Sequence, residues 1–281
     1  METIDTDAGR LAGVAAQAAT LVGPALAEAF QTRPKVAFKR DRHDPVTVHD
    51  RAAEASIRDF IMSTEPDSTV VGEEDGVRGS GRVHWYVDPI DGTANFARGL
   101  PFWCTSVAAV VDGAVVAGAI YDPVRGDLFT ASTTGAWCNE QPMHSTGVTE
   151  ETAAMLVTSY PGSRGIETDR ERVLARTAQL ITTYATVRRP GSTALNLAYV
   201  ASGRVDVALG IGINAWDVAA GALMVRQAGG HYFGLRRGEP NLNGPDPAWT
   251  FPGYLAMVGT LDPAETTVRS LFADSYQVNG L

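Results

Sequence analysis

Acidic residues at three places in this chain share a setting that points to chemistry and not only to solubility. Val70-Val71-Gly72 runs into Glu73-Glu74, and Trp85-Tyr86-Val87 runs into Asp88-Pro89-Ile90-Asp91-Gly92-Thr93. Ala215-Trp216 precedes Asp217, ahead of a stretch that stops at Gly229-Gly230. Each acid falls where an apolar or glycine-rich run meets a turn: the first pair at a strand end, the second just beyond one, the last before a helix with a glycine terminus. Gathering such carboxylates away from water costs several kcal/mol per uncompensated ion, so the group requires a cation. Oxygen ligands with no neighbouring His or Cys suit a hard ion: Mg²⁺ foremost, Mn²⁺ as a substitute, Zn²⁺ disfavoured.

Local covalent geometry supports convergence. Pro89 fixes φ and bends the chain, which lets Asp88 and Asp91 face one place and leaves the Ile90 carbonyl free as a further ligand. Gly92 permits a tight turn whose amides, with Thr93, can receive a phosphate at a helix start. The same residues also have an ordinary reading. Asp-Pro and Asp-Gly are common turn signals, and Asp217 by itself serves as a helix N-cap.

Periodicity outlines the scaffold beneath these residues. Residues 7–31 carry Leu11, Val14, Ala18, Leu21, Val22, Ala25 and Phe30 at mostly helical spacing, with a bend expected at Pro24. A second helix opens at Thr47-Val48-His49-Asp50, capped by Thr47 or Asp50, with Ala53, Ile57, Phe60 and Ile61 on its apolar side. From Val83 short β-rich runs follow, broken by the hairpin signals Asp112-Gly113 and Arg125-Gly126. Residues 1–150 therefore read as two helices on an antiparallel sheet. Residues 151–281 alternate between strand and helix and read as an α/β half with a mixed sheet: strands at Met155–Thr158, Thr186, Val205–Leu209 and Leu255–Val258, helices at Arg170–Ile181, Thr193–Ala201 and Val218–Ala228. No flexible linker separates the halves, which read as one unit.

The chain has 281 residues, 44% hydrophobic and 20% charged, with a net charge of −9. A folded globular body with a sizeable core is expected, and the acidic balance offers no footprint for direct nucleic-acid contact. Cys104 and Cys138 are the two cysteines and form neither a disulfide framework nor a zinc motif, which fits the cytosol. Met1–Arg10 is acidic, and Leu11–Phe30 is interrupted by Gln17, Thr20, Pro24 and Glu28, so neither a signal peptide nor a membrane span is expected. His43, His49, His84, His144 and His231 are scattered and read as structural or surface residues; Trp85 and Trp137 read as core.

Taken together, the blocks resemble the inositol monophosphatase-like phosphatases of the fructose-1,6-bisphosphatase superfamily. Gly72-Glu73-Glu74 matches the acidic strand-end element, Asp88–Phe96 matches the DPIDGT…NF signature, and Trp216–Gly230 matches the WD…AGG signature, in the family's order. The resemblance implies a layered αβαβα sandwich. It implies that Glu73, Asp88 and the Ile90 carbonyl hold one Mg²⁺, that Asp88, Asp91 and Asp217 hold a second, and that a weaker third ion lies near Glu73. Asp50 and Thr93 would orient and deprotonate the attacking water, with Glu73 counted among the catalytic residues. Ile90, Asp91, Gly92, Thr93 and Asp217 would face the substrate phosphate, and Gly191-Ser192-Thr193 would form the substrate loop. Lys39 matches a family lysine and reads equally as a metal-rim cation or a solvated surface residue.

The activity implied is Mg²⁺-dependent hydrolysis of a small phosphate monoester by direct attack of water, with inositol monophosphate the family default. No His or Cys nucleophile signature is present, in keeping with phosphoryl transfer by positioning and charge neutralisation. Li⁺ inhibition and a homodimer are implied as well. Inositol-selective relatives carry a Glu at the position of Gly210, so histidinol-phosphate phosphatase, fructose-1,6-bisphosphatase and adenosine bisphosphate phosphatase stand as alternatives. A different class also belongs here: bacterial family members that serve in antitermination and ribosome maturation through protein partners.

Overall fold

In a computed structural model of the chain, residues 2–38, 45–236, 239–240 and 248–273 are described; Lys39, His43 and Asp44 lie outside them. The chain begins with α1 (Glu2–Leu21), α2 (Gly23–Thr32), the short strands β1 (Ala37–Phe38) and β2 (Pro45–Val46), and α3 (Val48–Thr64). A first large sheet follows, from β3 (Ser68–Gly72), β4 (Gly76–Gly79) and β5 (Val83–Asp91), through α4 (Thr93–Arg98), to β6 (Cys104–Val111), β7 (Ala114–Asp122), β8 (Asp127–Ser132), β9 (Gly135–Cys138) and β10 (Gln141–Pro142). The second half runs β11 (Met155–Thr158), α5 (Ser163–Thr168), α6 (Arg170–Thr183), β12 (Thr186–Arg188), α7 (Thr193–Ala201), β13 (Val207–Ile211) and α8 (Ala215–Gln227). It closes with β14 (His231–Arg236), β15 (Glu239–Pro240), β16 (Gly253–Met257) and α9 (Thr267–Ala273).

These elements stack in five layers. α1 and α3 lie on one face of the eight-stranded sheet β10-β9-β8-β7-β6-β5-β3-β4, and α7 and α8 fill the space between its other face and the six-stranded sheet β12-β11-β13-β16-β14-β15. α6 and α9 meet beyond the second sheet, against β12 and β15. This is the αβαβα sandwich that the resemblance implies. The first sheet departs from the antiparallel expectation at one pair: β3 runs parallel to β5, which sets both acidic strand ends side by side.

Burial explains the patterns. β6 is covered on both faces, so its stretch Val107–Val111 is an unbroken apolar run whose alternate residues serve different cores. Ala108 and Val110 join the core between the sheets, while Val107 and Ala109 join the core under α1 and α3. By length and hydropathy the stretch Asp7–Thr32 is long and apolar enough to cross a membrane, yet Leu11, Val14, Ala15, Ala18 and Ala19 are buried in that second core. Pro24 does not bend one helix: the helix breaks at Val22 and Pro24 sits in the first turn of α2, where its missing N–H is harmless. Trp85 is fully buried as expected, but Trp137 is only half-buried.

The close seating of α8 depends on small residues. A Cβ on Gly118 of β7 would stand 2.9 Å from the Ala220 backbone, and one on Gly221 would meet Leu197 of α7 at 2.5 Å. Gly118→Val is therefore expected to push α8 off the sheet and cost about 1–3 kcal/mol. Thermal denaturation should read this as a melting temperature several degrees lower.

Candidate active site

The site forms where β5 ends. β5 stays in register with β6 as far as Asp88 opposite Ser106, then slips so that Asp91 lies opposite Cys104. Pro89 has no N–H to give the ladder, and its carbonyl instead accepts the Thr105 hydroxyl at 2.9 Å. The Ile90 N–H turns back onto Asp88 Oδ1 at 3.0 Å. Asp88 and Asp91 thus lie within the strand, not just beyond it, and a bulge does the redirecting expected of a turn.

Two neighbours bring their acids to this point. The Glu73 N–H donates to the Val87 carbonyl at 3.2 Å, which places Glu73 directly beside Asp88, and their carboxyl groups hydrogen-bond. From the other half, Asp217 sits in the first turn of α8, with its side chain also hydrogen-bonded to Asp88. Asp217 is not the N-cap. The helix starts earlier than the apolar pattern indicated, Asn214 takes the cap, and Asp217 Oδ2 accepts the Asn214 N–H at 2.7 Å.

Asp91 is gripped by the start of α7. Its Oδ2 accepts the Ser192 hydroxyl at 2.6 Å and the Ala194 N–H at 2.5 Å, with Cys104 Sγ 4.0 Å away. Ser192 is 1% exposed and also caps α7 by accepting the Leu195 N–H at 3.2 Å. Within the Gly191-Ser192-Thr193 loop, the Ser192 hydroxyl is therefore turned inward onto Asp91. Gly191, with φ +94°, passes close to Asn95, whose Nδ2 donates to the Phe102 and Pro190 carbonyls at 2.7 Å each.

Asp50 belongs to the same cluster through α3. Thr47 is the N-cap, and Asp50 Oδ2 accepts both the Thr47 N–H at 2.8 Å and the Thr47 hydroxyl at 2.6 Å. Its other oxygen lies 3.1 Å from the Thr93 hydroxyl, which is also 3.0 Å from the Ile90 carbonyl. Thr93 follows Gly92, whose φ of +97° is left-handed and suits glycine at the head of α4.

Crowding shows in the ionisation of the group. Burial, then the charges of Glu73, Asp91 and Asp217, push the Asp88 carboxyl well above the usual carboxylate range. Asp217 keeps some exposed surface, but loss of water around its carboxyl and the charge of Asp91 push it well up too. Burial carries Asp91 to about 6 against the downward pull of Ser192 and the α7 amides. Burial also raises Asp50, partly offset by its bonds to Thr47 and Thr93. Carboxyl groups meet this closely only with a proton or a cation among them.

A hard divalent cation fits this all-oxygen set. Among the described residues no three acidic, His or Cys side chains already form a cage around an ion position.

Three features escaped the sequence reading. Glu54 is buried one turn beyond Asp50, and its carboxylate accepts the Glu74 and Asp75 amides at 2.7 and 2.8 Å; an acid inside the Ala53/Ile57 apolar stripe was the available signal. Burial raises its carboxyl above the ordinary range. Asn95 and Cys104 lie inside or beside matched segments but touch the site only through folding. Gly210 is occupied from the side by the Tyr254 ring, which a Cβ there would overlap.

The chain is similar to proteins of known structure and name. The chain is 37% identical over 221 residues to the Nus factor SuhB of Pasteurella multocida, spanning 77% of this chain and 82% of that protein. The crystal structure of extragenic suppressor protein suhB from Bartonella henselae superposes with a TM-score of 0.83 at 28% identity, covering 95% of this chain and 99% of that one. An inositol monophosphatase from Anabaena superposes with a TM-score of 0.75 at 28% identity, covering 94% of each chain. The Inositol monophosphatase family profile matches residues 7–257, so the chain belongs to that family.

Proposed function

We propose that the chain is a Mg²⁺-dependent phosphomonoesterase acting on a small phosphorylated polyol or related metabolite, with inositol monophosphate the leading substrate. The observation that carries this is the meeting of Glu73, Asp88, Asp91 and Asp217, drawn from both halves, beside the Asp50–Thr93 pair. Glu73, Asp88 and the Ile90 carbonyl would hold one ion, Asp88, Asp91 and Asp217 a second, and a weaker third would lie near Glu73. Mg²⁺ bound there supplies positive charge for the phosphate oxygens and acidity for the attacking water.

The chain's own groups then have defined work. The Thr93 hydroxyl donates to Asp50 Oδ1 and is left able to accept from a water, which it orients towards the phosphorus. Asp50 is the proton acceptor, and burial makes it a better base than an exposed aspartate. The Gly92 and Thr93 amides at the head of α4 receive the phosphate. Asp91, clamped by Ser192 and the first amides of α7, would present its carboxylate to the ion and the substrate side.

The leaving group is a separate question. With the Tyr254 ring beside Gly210, that flank offers no carboxylate to sugar-like hydroxyls, which keeps histidinol phosphate, fructose 1,6-bisphosphate and adenosine bisphosphate as alternative esters. The reading includes a cytosolic homodimer with no direct nucleic-acid or membrane ligand, and the net charge of −9 supports the absence of a nucleic-acid ligand. A second reading is favoured by the SuhB likeness: P. multocida SuhB is named a Nus factor, and this chain would then act through a protein partner. A chain with Asp91→Asn that still performs the cellular role would favour that second reading.

The panel of these four esters, assayed with Mg²⁺ and with chelator, should show phosphate release only with the metal, fastest on inositol monophosphate. Asp50→Asn and Asp217→Asn should each lower kcat by about 10² or more, and Li⁺ should inhibit; equal rates with chelator would refute the proposal. A second measurement follows from proton linkage. Asp88, Asp91 and Asp217 hold protons to higher pH folded than unfolded, so the metal-free folded state binds more protons and loses stability as pH rises from about 4 through the Asp91 value of about 6. Melting temperature in chelator should fall across that window, and Mg²⁺ should restore it most at neutral pH.

A further inference from the structure

Glu54 has features that a helix interior does not require. It lies one turn after Asp50 on α3, is 1% exposed, and stands among Ala53, Ile57 and Ile61 on the buried side of the helix. A carboxylate in such a place is costly unless its oxygens are satisfied. Both are: Oε2 accepts the Glu74 N–H at 2.7 Å and Oε1 accepts the Asp75 N–H at 2.8 Å. The two amides are consecutive and belong to the turn between β3 and β4. Gly72 is the residue that makes room, since a Cβ there would overlap the Glu54 carboxyl group.

The residue between Gly72 and those amides is Glu73. Its own N–H is tied on the other side to the Val87 carbonyl at 3.2 Å, immediately before Asp88. Glu73 is therefore bracketed: its N–H is anchored to the strand that carries Asp88, and the next two amides are anchored to the helix that carries Asp50.

We propose that Glu54 is a positioning residue for Glu73, holding the Glu73-Glu74-Asp75 turn so that the Glu73 carboxylate is presented to the cation beside Asp88. This rests on the cation-dependent reading of the site. α3 acts as a template, with Asp50 at one turn facing Thr93 and Glu54 at the next facing the Glu73 turn. Glu54 touches neither substrate nor cation; it sets where a ligand stands.

Glu54→Gln tests this with little change of volume, because Gln keeps one acceptor but points an NH₂ at the second amide. Mn²⁺ serves as the probe, its binding to the full-length chain measured by calorimetry, alongside melting temperature in chelator and the Mg²⁺ concentration for half-maximal phosphate release. We expect Mn²⁺ affinity to fall about tenfold, the scale of one charge-assisted hydrogen bond. The Mg²⁺ requirement should rise in parallel, with substrate KM at saturating Mg²⁺ unchanged within about twofold. Gly72→Ala approaches the same contact from the other side and should weaken Mn²⁺ binding likewise. Should Glu54→Gln bind Mn²⁺ as the unaltered chain does, whatever happens to its melting temperature, Glu54 is only a loop staple and the proposal is overturned. An unaltered chain that binds no Mn²⁺ overturns both this proposal and the cation-dependent site, whereas one that binds Mn²⁺ but hydrolyses no ester overturns the proposed activity alone.

Discussion

The structure around the site is governed by the unfavourable energy of bringing like-charged carboxyl groups together where water is scarce. Asp88 is the centre of this: it is buried, flanked by Glu73 just past the end of the parallel strand and by Asp217 on α8, and has Asp91 three residues along its own strand. Left as anions, these groups would push their elements apart. Each is held by bonds that do not depend on the others: the β3–β5 ladder for Glu73, the first turn of α8 for Asp217, the start of α7 for Asp91. The fold thus keeps an electrostatically frustrated group assembled, and such a group gains most from a divalent cation.

The means of holding the acids are ordinary helix-end chemistry. Asp50 and Asp217 are both third residues of their helices and both accept the N–H of their cap residue, at 2.8 and 2.7 Å. Ser192 caps α7 and in the same position donates to Asp91. A helix start has N–H groups that favour anions, so the positions that stabilise each helix are also the positions at which a carboxylate can be kept in place. Helix stability and site geometry are therefore coupled at three helix starts, and Asp50, Asp91 and Asp217 cannot drift without fraying a helix.

Much of this was legible from residue types. Glu73, Asp88, Asp91 and Asp217 could be picked out because an acid at the end of an apolar run is visible in sequence, and α3 could be started at Thr47 because Thr-x-x-Asp is a local cap pattern. What could not be read depends on non-local pairing. The parallel β3–β5 contact is invisible within a run of hairpin signals, because nothing in either strand names its partner. β14 is hidden in the sequence because Gly234 interrupts it, and that glycine is explained by the close approach of the Ala248 carbonyl. Asp217 reads as a cap from sequence because α8 begins at Ala215 and Trp216, whose lack of strong apolar periodicity hides the true first turn.

The same division separates what the site does from what it acts on. The acidic cluster is built from strand ends and helix starts, features with local signatures. The outer edge of the site is built from non-local contacts: Gly191 against Asn95 and Ser192 against Asp91 across the halves, and Gly210 against Tyr254 within the second sheet. Gly210 shows why a single position misleads there. Read alone, it is a missing hydroxyl ligand; in the sheet it is the only residue type that admits the ring of Tyr254, whose position is set by the β13–β16 register. The absence of an acid at 210 and the presence of an aromatic at 254 are one packing solution within the second sheet, so under the proposed activity a residue that grips the leaving group has to come from another element.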